Sequence, residues 1–393
     1  MRLLRTLGPW VLSAALLAAC GDGDPDVPGS GSPSGAPTTK GNFVSVVSFG
    51  DSLSDAGTYT PATSVTGNGA APFIGGRFTN NGTGSTVWVE NIATALGLLV
   101  TPAEIGWAGT VVPCPAAANP ALAATCTAYG QGGARVSNPD GIGKASGALT
   151  VPLTQQISNH LARVGSFKTN DLILVLGGNN DAFVQFAGFA AAAAQAQADA
   201  AAGKITPDQA NQLVFAAQQT ALQGMKTAAQ ELSNAIVTQI LGKGGKYVLV
   251  LSILDAANSP FAATLPAEVR PVLTQLSQNF NLWLRDGLTG QPVQLIDPES
   301  AFFDAIRADP AKFGVANLTV PTCDAAKIAV ITGGAITDGS SLFCNSDAVL
   351  WNGIRDGADV NTWLFADGVH PTTKGHKLLS DAVLGQLKAF GWI

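Results

Sequence analysis

Short apolar segments recur along the chain, and longer segments with helical periodicity lie between them. The apolar segments are rich in valine, isoleucine and leucine and fall at residues 43–49, 171–176, 246–254 and 293–296. Helical spacing of apolar positions falls at residues 86–99, 153–164, 266–287 and 373–390. Short strands that are apolar on both faces and alternate with helices predict a parallel α/β sheet.

Residues 183–242 form a region rich in alanine and glutamine that predicts a helical hairpin. The pair Thr206 and Pro207 provides a helix start in the middle of this region. Such a hairpin could act as a lid over a pocket, or it could cover one face of the sheet. We favour the second interpretation.

The first twenty residues predict a signal peptide. Arg2 and Arg5 precede an apolar stretch that is too short to span a bilayer. The stretch ends in LAAC at residues 17–20, which resembles a bacterial lipobox, and this resemblance implies that Cys20 becomes a lipidated N-terminus after cleavage. The alternative is an ordinary small-residue cleavage site followed by a chance cysteine.

Residues 21–41 consist mostly of glycine, proline, serine and aspartate, which predicts a flexible linker before a domain over residues 42–393. We therefore expect an exported bacterial lipoprotein of the cell envelope, at the outer membrane or cell surface, or a secreted protein. Its membrane contact is expected to be the N-terminal lipid anchor. No later hydrophobic run in the sequence is long and unbroken enough to span a bilayer.

Composition limits the class of function. Hydrophobic residues make up 46% of the chain, enough for a large core, and only 12% of the residues are charged. The net charge is −6, and lysine and arginine are not clustered. A nucleic-acid partner is therefore excluded, because such proteins carry a basic patch.

Four cysteines remain after Cys20. In an exported chain an even number predicts two disulfides, with three possible connectivities. We favour the local pairs Cys114–Cys126 and Cys323–Cys344, because each would close a segment with few packing residues. A zinc site is the competing interpretation, but neither a C-x-x-C motif nor a nearby histidine pair supports it.

The first predicted strand ends in the sequence VVSFGDSLSDAG, residues 46–57. Glycine, aspartate and serine are common turn residues, so the GDS sequence could be a plain turn. The turn could also present Ser52 as a nucleophile. Ligands of parallel sheets bind beyond the carboxyl ends of the strands, and Ser52 follows such an end.

A serine nucleophile needs a base that is held by a third group. Of the three histidines, His160 is expected at the surface and His376 in a packing or capping role. His370 follows Asp367 by three residues in FADGVHPTTKG, a spacing that allows the carboxylate to hold one ring nitrogen while the other faces Ser52. Taken alone, this D-x-x-H spacing is equally compatible with a turn that carries an exposed histidine.

Acyl transfer also needs hydrogen-bond donors for the oxyanion. Gly132 and Gly133, within AYGQGGARV, expose backbone N–H groups, and Asn180, within VLGGNNDAF, lies just past the end of a buried strand. Either stretch could be ordinary turn chemistry. We expect these two stretches and those of Ser52 and His370 to lie at strand ends.

Four ordered blocks resemble those of the GDSL, or SGNH, hydrolase family. They are GDSLSD at residues 50–55, GGA at 132–134, GGNND at 177–181 and DGVHP at 367–371. The segment GRFTNNG at residues 76–82 is similar to one that larger members carry after the first block. The likeness extends from residue 43 to about residue 390, and the chain resembles extracellular bacterial lipases, phospholipases and hemolysin-like lecithinases.

This resemblance implies a flavodoxin-like three-layer α/β/α sandwich with a mainly parallel sheet. It implies Ser52 as nucleophile, His370 as base and Asp367 as its orienting acid. The implied oxyanion hole combines the Ser52 and Gly133 backbone N–H groups with the Asn180 side chain.

Two positions depart from the family pattern. Ala128 stands where members commonly have asparagine, and Asn179 makes the choice of Asn180 as donor less direct. The competing α/β-hydrolase class would need a G-x-S-x-G elbow, which the sequence lacks. Asp51 and Asp55 are expected to brace the turn, and Arg77 to pin a loop.

We therefore expect a serine ester hydrolase that works through an acyl-enzyme and needs no metal or cofactor. Its expected substrate is a lipid or a short-to-medium acyl ester. A carbohydrate O-acetyl ester, a thioester or transfer to a second alcohol are alternatives on the same site. A surface lipoprotein that only binds a ligand is the alternative outside the enzymes. Four intact site residues argue against it: Ser52, Asp367, His370 and Asn180.

Overall fold

A six-stranded sheet, in which every pair of neighbouring strands is parallel, forms the centre of the protein. The computed structural model describes residues 31–63, 75–347 and 352–393. The strands in chain order are β1 (Ser45–Gly50), β2 (Thr101–Pro102), β3 (Glu104–Trp107), β4 (Thr110–Pro113), β5 (Cys126–Ala128), β6 (Asp171–Leu176), β7 (Tyr247–Leu251) and β8 (Gln294–Ile296). Strands β3 and β4 form a separate antiparallel hairpin. The four strands predicted from apolar runs are β1, β6, β7 and β8, and all four are confirmed.

The strand order of the main sheet is β2-β5-β1-β6-β7-β8. Without the two-residue edge strand β2, the order corresponds to 2-1-3-4-5, which is that of flavodoxin-like sheets. The order reverses between β1 and β6, which pair in register from Ser45 with Asp171 to Gly50 with Leu176. Ligands of such sheets bind at this reversal, beyond the carboxyl ends of the strands.

Helices flank the sheet. In chain order they are α1 (Trp88–Ala95), α2 (Leu153–Val164), α3 (Asn179–Ala201), α4 (Pro207–Ala235), α5 (Pro260–Ala263), α6 (Arg270–Gly287), α7 (Asp304–Ala308), α8 (Ala325–Ile331) and α9 (Thr373–Ala389). The predicted helices at 86–99, 153–164, 266–287 and 373–390 correspond to α1, α2, α6 and α9.

Alternate residues of the strands enter two separate cores. Val47 and Phe49 of β1 face a core formed with α2, α3, α4 and α6. Val46 of the same strand faces a core formed with α1, α7 and α9. Because successive side chains of a strand point to opposite faces, a sheet that is apolar on both faces needs a helical layer on each. The predicted three-layer α/β sandwich is confirmed.

Helices α3 and α4 form the hairpin predicted at about 183–242. The hairpin begins earlier, at Asn179, because Gly178 adopts a φ of 117° that starts the helix directly after β6. Helix α4 buries Met225, Ala229 and Leu232 in the core on that face of the sheet. These contacts are those of helices that cover a sheet.

Residues 31–41, the part of the predicted linker that the structure describes, pack against the folded domain. The Trp392 indole N–H donates to the Pro37 carbonyl over 2.7 Å, and the Gly41 N–H donates to the Trp392 carbonyl over 2.9 Å. The Ser34 N–H donates to the Gln291 carbonyl. Backbone hydrogen bonds thus order a stretch that has little apolar surface of its own, which composition could not predict. The predicted signal peptide, Cys20 and the rest of the linker lie outside the described residues.

Two disulfides each close a short segment of the described chain. Cys114 after β4 is bonded to Cys126 at the start of β5, and Cys323 is bonded to Cys344. Both are the local pairs favoured from the sequence. Each is expected to stabilise the fold by about 2–4 kcal/mol. In the described parts of the chain, the helices are all too short or too polar to cross a membrane.

Candidate active site

The turn after β1 holds Ser52 at the reversal of the strand order. Gly50 ends the strand where a Cβ atom would lie 2.5 Å from the Leu176 carbonyl oxygen, so only glycine fits there. Asp51 then caps a single 3₁₀ turn by accepting a hydrogen bond from the Leu53 N–H over 3.1 Å. The GDS sequence is therefore a tight turn as well as a presenting loop, and both interpretations of it describe the same geometry.

Ser52 and His370 meet across 318 residues of sequence. The Ser52 Oγ atom lies 2.8 Å from the His370 Nε2 atom. The other ring nitrogen, Nδ1, lies 2.9 Å and 2.8 Å from the two carboxylate oxygens of Asp367. A hydroxyl, an imidazole and a carboxylate thus form one hydrogen-bonded series.

Asp367 and His370 lie on a loop before α9, not at the end of a strand of the main sheet, so that part of the prediction was wrong. The loop closes on itself, because the Ala366 N–H donates to the His370 carbonyl over 2.8 Å. The Asp367 Oδ1 atom accepts from the backbone N–H groups of Val369 and His370 at 2.9 Å and 2.8 Å. The D-x-x-H spacing is therefore a compact turn organised around its own carboxylate.

The second oxygen of Asp367 is held from outside this loop. It accepts a hydrogen bond from the Ser341 N–H over 2.8 Å, and Ser341 belongs to the segment closed by Cys323 and Cys344. Burial acts to raise the pKa of Asp367, but the charge of His370 and these hydrogen bonds together lower the pKa below its usual range. Asp367 is therefore ionised throughout the range in which the imidazole titrates.

The electrostatic surroundings favour a protonated imidazole at His370. Burial acts to lower the pKa of His370, but the adjacent Asp367 carboxylate more than reverses this, and the negative charges of Asp51 and Asp338 contribute further. The net pKa is raised. The ring also packs against Phe78, with ring centroids 4.9 Å apart, which limits its freedom to turn.

Gly133 lies on the loop that follows β5, and Asn180 lies in the first turn of α3, directly after β6. Gly133 has a φ of 78°, and a Cβ atom on it would lie 1.9 Å from the Ile142 carbonyl oxygen. Asn180 donates one amide hydrogen to the Ala134 carbonyl over 2.9 Å and keeps a second amide hydrogen. Within the described residues, the backbone N–H groups of Ser52 and Gly133 donate no intramolecular hydrogen bond.

The adjacent residues Asn179 and Asn180 make different contacts. Asn179 donates to the Asp51 carboxylate over 2.8 Å and so ties the Ser52 turn to the start of α3. Asn180 lies beside the Gly133 loop instead. Burial raises the pKa of Asp51 to about 6, against the lowering effect of its hydrogen bonds from Asn179 and Leu53.

Asp55 braces the same turn, as expected. Its Oδ1 atom accepts from the Gly57 and Thr58 N–H groups at 2.9 Å and 2.7 Å, and its Oδ2 atom accepts from the Gly132 N–H at 2.9 Å. Burial raises the pKa of Asp55 to about 6. Asp55 thus also connects the serine turn to the loop that carries Gly133, a contact that the sequence did not indicate.

The GRFTNNG segment packs beside the site. Arg77 forms two hydrogen bonds with the Glu90 carboxylate, at 2.7 Å and 2.6 Å, and so pins the loop, as predicted. Phe78 was not identified from the sequence as a site residue. Its ring contacts His370 and covers Gly132, where a Cβ atom would lie 2.1 Å from the Phe78 ring. The GRFTNNG motif, which contains Phe78, was the sequence feature that could have identified it.

The other two histidines are buried, and the surface location predicted for His160 was wrong. His160 stacks on Phe167 with centroids 4.6 Å apart, and it is 2% exposed. It follows Leu153 and Ile157 at helical spacing, so it lies on the inward face of α2. His376 is fully buried in α9, where packing was expected, and burial lowers its pKa to about 3.

The hydroxyl–imidazole–carboxylate series at the strand reversal of a flavodoxin-like sheet is the arrangement of a serine hydrolase site. A family model described as GDSL-like Lipase/Acylhydrolase matches residues 46–383. The chain therefore belongs to the GDSL-like lipase/acylhydrolase family, and it is a hydrolase that acts on esters. A search of curated proteins found no match.

Proposed function

We propose that this protein cleaves acyl esters in two steps through Ser52. The Ser52 oxygen attacks the acyl carbonyl carbon while His370 Nε2 accepts the hydroxyl proton. The negative oxygen of the tetrahedral intermediate accepts hydrogen bonds from the Ser52 and Gly133 N–H groups and the Asn180 amide. His370 then gives its proton to the leaving alcohol, which departs and leaves an acyl-enzyme.

Water completes the cycle. It attacks the acyl carbon while His370 accepts one of its protons, and the second intermediate collapses by releasing the Ser52 oxygen. That oxygen regains the proton from His370, and the free acid leaves. Asp367 stays ionised throughout and stabilises the positive imidazolium ring that forms in each step.

One observation carries this proposal: the 2.8 Å separation of Ser52 Oγ and His370 Nε2, with Asp367 on the far side of the ring. General-base catalysis needs the base within about 2.6–3.2 Å of the proton-bearing atom. The chain brings the two groups together from opposite ends of the domain, so their contact is not a local sequence effect.

The test compares Ser52→Ala with Ser158→Ala on a p-nitrophenyl ester. Ser158 lies on α2, where its hydroxyl donates to the Thr154 carbonyl, and serves as the matched control. We expect Ser52→Ala to lose about 10⁴-fold or more in kcat and to resist labelling by a fluorophosphonate. A Ser52→Ala protein that hydrolyses the ester at the Ser158→Ala rate refutes the proposal.

For the acyl group we propose an apolar chain, as in a lipid ester. Aromatic rings flank the base: Phe78 packs on His370, and the Phe261 N–H donates to the Gly368 carbonyl in the His370 loop over 2.8 Å. Phe261 in turn packs edge-on against Phe183, one helical turn beyond Asn180. Apolar walls of this kind favour aliphatic chains over a sugar.

An ester panel tests this choice. Rates on p-nitrophenyl acetate, butyrate, octanoate and palmitate are compared with those on an acetylated sugar and a thioester. We expect kcat/KM to rise from acetate to the longer chains, by about fourfold for each buried methylene group. A preference for acetyl sugars, or transfer to added glycerol in place of hydrolysis, would support the other activities that were predicted from the sequence.

We also propose that the protein is exported and anchored by lipid on Cys20. Two disulfides in the described chain support an oxidising compartment. In a bacterial host, labelled palmitate should enter the wild-type protein, and Cys20→Ala should leave it unlabelled and free of the membrane fraction. Equal labelling of both proteins would refute the anchor.

A further inference from the structure

The peptide unit between Gly132 and Gly133 is held on one side by a buried tyrosine. The Tyr59 hydroxyl donates a hydrogen bond to the Gly132 carbonyl over 2.6 Å. The N–H at the other end of this same peptide unit is that of Gly133, the proposed oxyanion donor. The role of this N–H as an oxyanion donor rests on the proposed function.

The direction of the Tyr59 hydrogen bond is fixed by its second partner. The Thr150 N–H donates to the Tyr59 oxygen over 3.2 Å, so the single hydroxyl hydrogen is available for the Gly132 carbonyl. Tyr59 is 1% exposed, and burial raises its pKa, so the hydroxyl keeps its proton. Its ring is held edge-on between Phe78 and Trp107.

The neighbouring peptide groups of this loop are also bonded. The Gly132 N–H donates to Asp55, and the Gly133 carbonyl accepts from the Ile142 N–H over 2.9 Å. The Ala134 N–H donates to the Gln131 carbonyl over 3.1 Å. Among the described residues, the Gly133 N–H is the group in this run that makes no intramolecular bond.

We propose that Tyr59 is a positioning residue for ester hydrolysis, which sets the direction and donor strength of the Gly133 N–H through the peptide unit they share. A peptide unit is planar and trans, so fixing its C=O fixes the opposite direction of its N–H. A hydrogen bond to the carbonyl also polarises the amide and strengthens its N–H as a donor. The effect reaches the oxyanion without any contact between Tyr59 and substrate.

The test is Tyr59→Phe, with Tyr247→Phe as matched control. Tyr247 is also buried, and its hydroxyl donates to the Lys40 carbonyl. It is the first residue of β7, so it lies at the amino end of the strand, whereas the site lies beyond the carboxyl ends. On an oxygen ester we expect kcat of Tyr59→Phe to fall about tenfold with KM within about twofold, because weakening one donor costs less than the 10²–10³-fold seen when one is removed. Tyr247→Phe should match the wild type.

A thionoester of the same acyl group separates positioning from general damage. Sulfur accepts hydrogen bonds weakly, so the oxyanion donors stabilise the tetrahedral intermediate of a thionoester only slightly. Tyr59→Phe should therefore lose less than about threefold on the thionoester. Equal losses on the two substrates, or a Tyr59→Phe protein indistinguishable from Tyr247→Phe, would overturn the proposal.

If Tyr59→Phe does not fold, 3-fluorotyrosine is placed at position 59 of the full chain. It keeps the hydroxyl and donates a stronger hydrogen bond, so the ester-to-thionoester ratio of kcat should rise. An unchanged or lower ratio would refute the role of Tyr59. Failure of the proposed function is seen separately, because a Ser52→Ala protein that retains turnover refutes both, whereas an inert Tyr59→Phe change refutes only this inference.

Discussion

Replacing Asp367 by asparagine tests how the carboxylate organises the site. Backbone N–H groups of Val369 and His370 point at one oxygen, that of Ser341 points at the other, and His370 Nδ1 lies between them. An asparagine of the same shape has one acceptor oxygen and an NH₂ group. One set of these donors must then face the NH₂ group, and the imidazole loses its negative partner.

The magnitude follows from these contacts. Loss of the carboxylate removes both the orientation of His370 and the charge that stabilises its protonated form, for which a fall of about 10³–10⁴-fold in kcat is expected. This corresponds to about 4–5.5 kcal/mol at 1.36 kcal/mol for each factor of ten. The unpaired backbone donors should also lower the free energy of unfolding by about 1–3 kcal/mol.

The pH profile gives the sharper result. The base must be neutral, so kcat/KM rises as His370 loses its proton, and its raised pKa places this limb above pH 6.5 in the wild type. Removing Asp367 takes away the main raising influence and leaves burial, which lowers the pKa. The limb should therefore move to lower pH in Asp367→Asn.

The assay is the pH dependence of kcat/KM on a soluble ester from pH 4.5 to 9.5. Asp338→Asn is the control, because Asp338 is exposed, its charge raises the pKa of His370, and asparagine keeps the oxygen that accepts from the Ser340 N–H. It should keep kcat within about twofold and move the limb slightly in the same direction. An Asp367→Asn limb that stays in place or moves to higher pH would refute the assignment of Asp367 as the partner of His370.

Three further predictions concern the support of the site. Gly133→Ala should lower kcat at least tenfold and reduce the midpoint of thermal unfolding, because its Cβ atom meets a carbonyl oxygen at 1.9 Å; unchanged kinetics would contradict the positive φ. Joint replacement of Cys323 and Cys344 by serine removes the disulfide that joins positions 21 residues apart, and urea titrations should show a free energy of unfolding lower by about 3 kcal/mol. The Cys114–Cys126 disulfide stays intact in this variant, and an unchanged free energy of unfolding would contradict the prediction. Asp51 has a raised pKa of about 6, so the native state binds its proton more tightly than the unfolded chain does, and wild-type stability should fall as pH rises from about 4 to above 6. Asp51→Asn should remove up to about 1.4 kcal/mol per pH unit from that slope, and an identical slope in both proteins would contradict the shift.

The strands that sequence reasoning found are those with continuous apolar runs. β1 and β6 are buried on both faces, so apolar residues occupy consecutive positions and not only alternate ones. β2 and β5 have only two and three residues and are too short to show a period. β5 is a strand because it pairs with β1, and β2 is a strand because it pairs with β5, so both depend on tertiary contacts.

The residues of the proposed triad could be named from motifs, but their supports could not. Ser341 reaches Asp367 through a loop whose course the disulfide helps to fix. Tyr59 acts on a carbonyl 73 positions away. His160 was misplaced because its polar neighbours in α2 hid its position on the inward face of the helix. Each of these contacts depends on which segments of the chain meet in the folded protein, and the apolar periodicity of the sequence does not show this.

Ser52 directly follows β1, a strand in the middle of the sheet, whereas Asp367 and His370 lie in irregular chain tethered to the Cys323–Cys344 loop. The two halves of the site therefore belong to regions with different resistance to local opening. We therefore expect heat or denaturant to separate the imidazole from the hydroxyl before the sheet unfolds. Loss of turnover should then precede loss of secondary structure, and cooling from that stage should restore turnover.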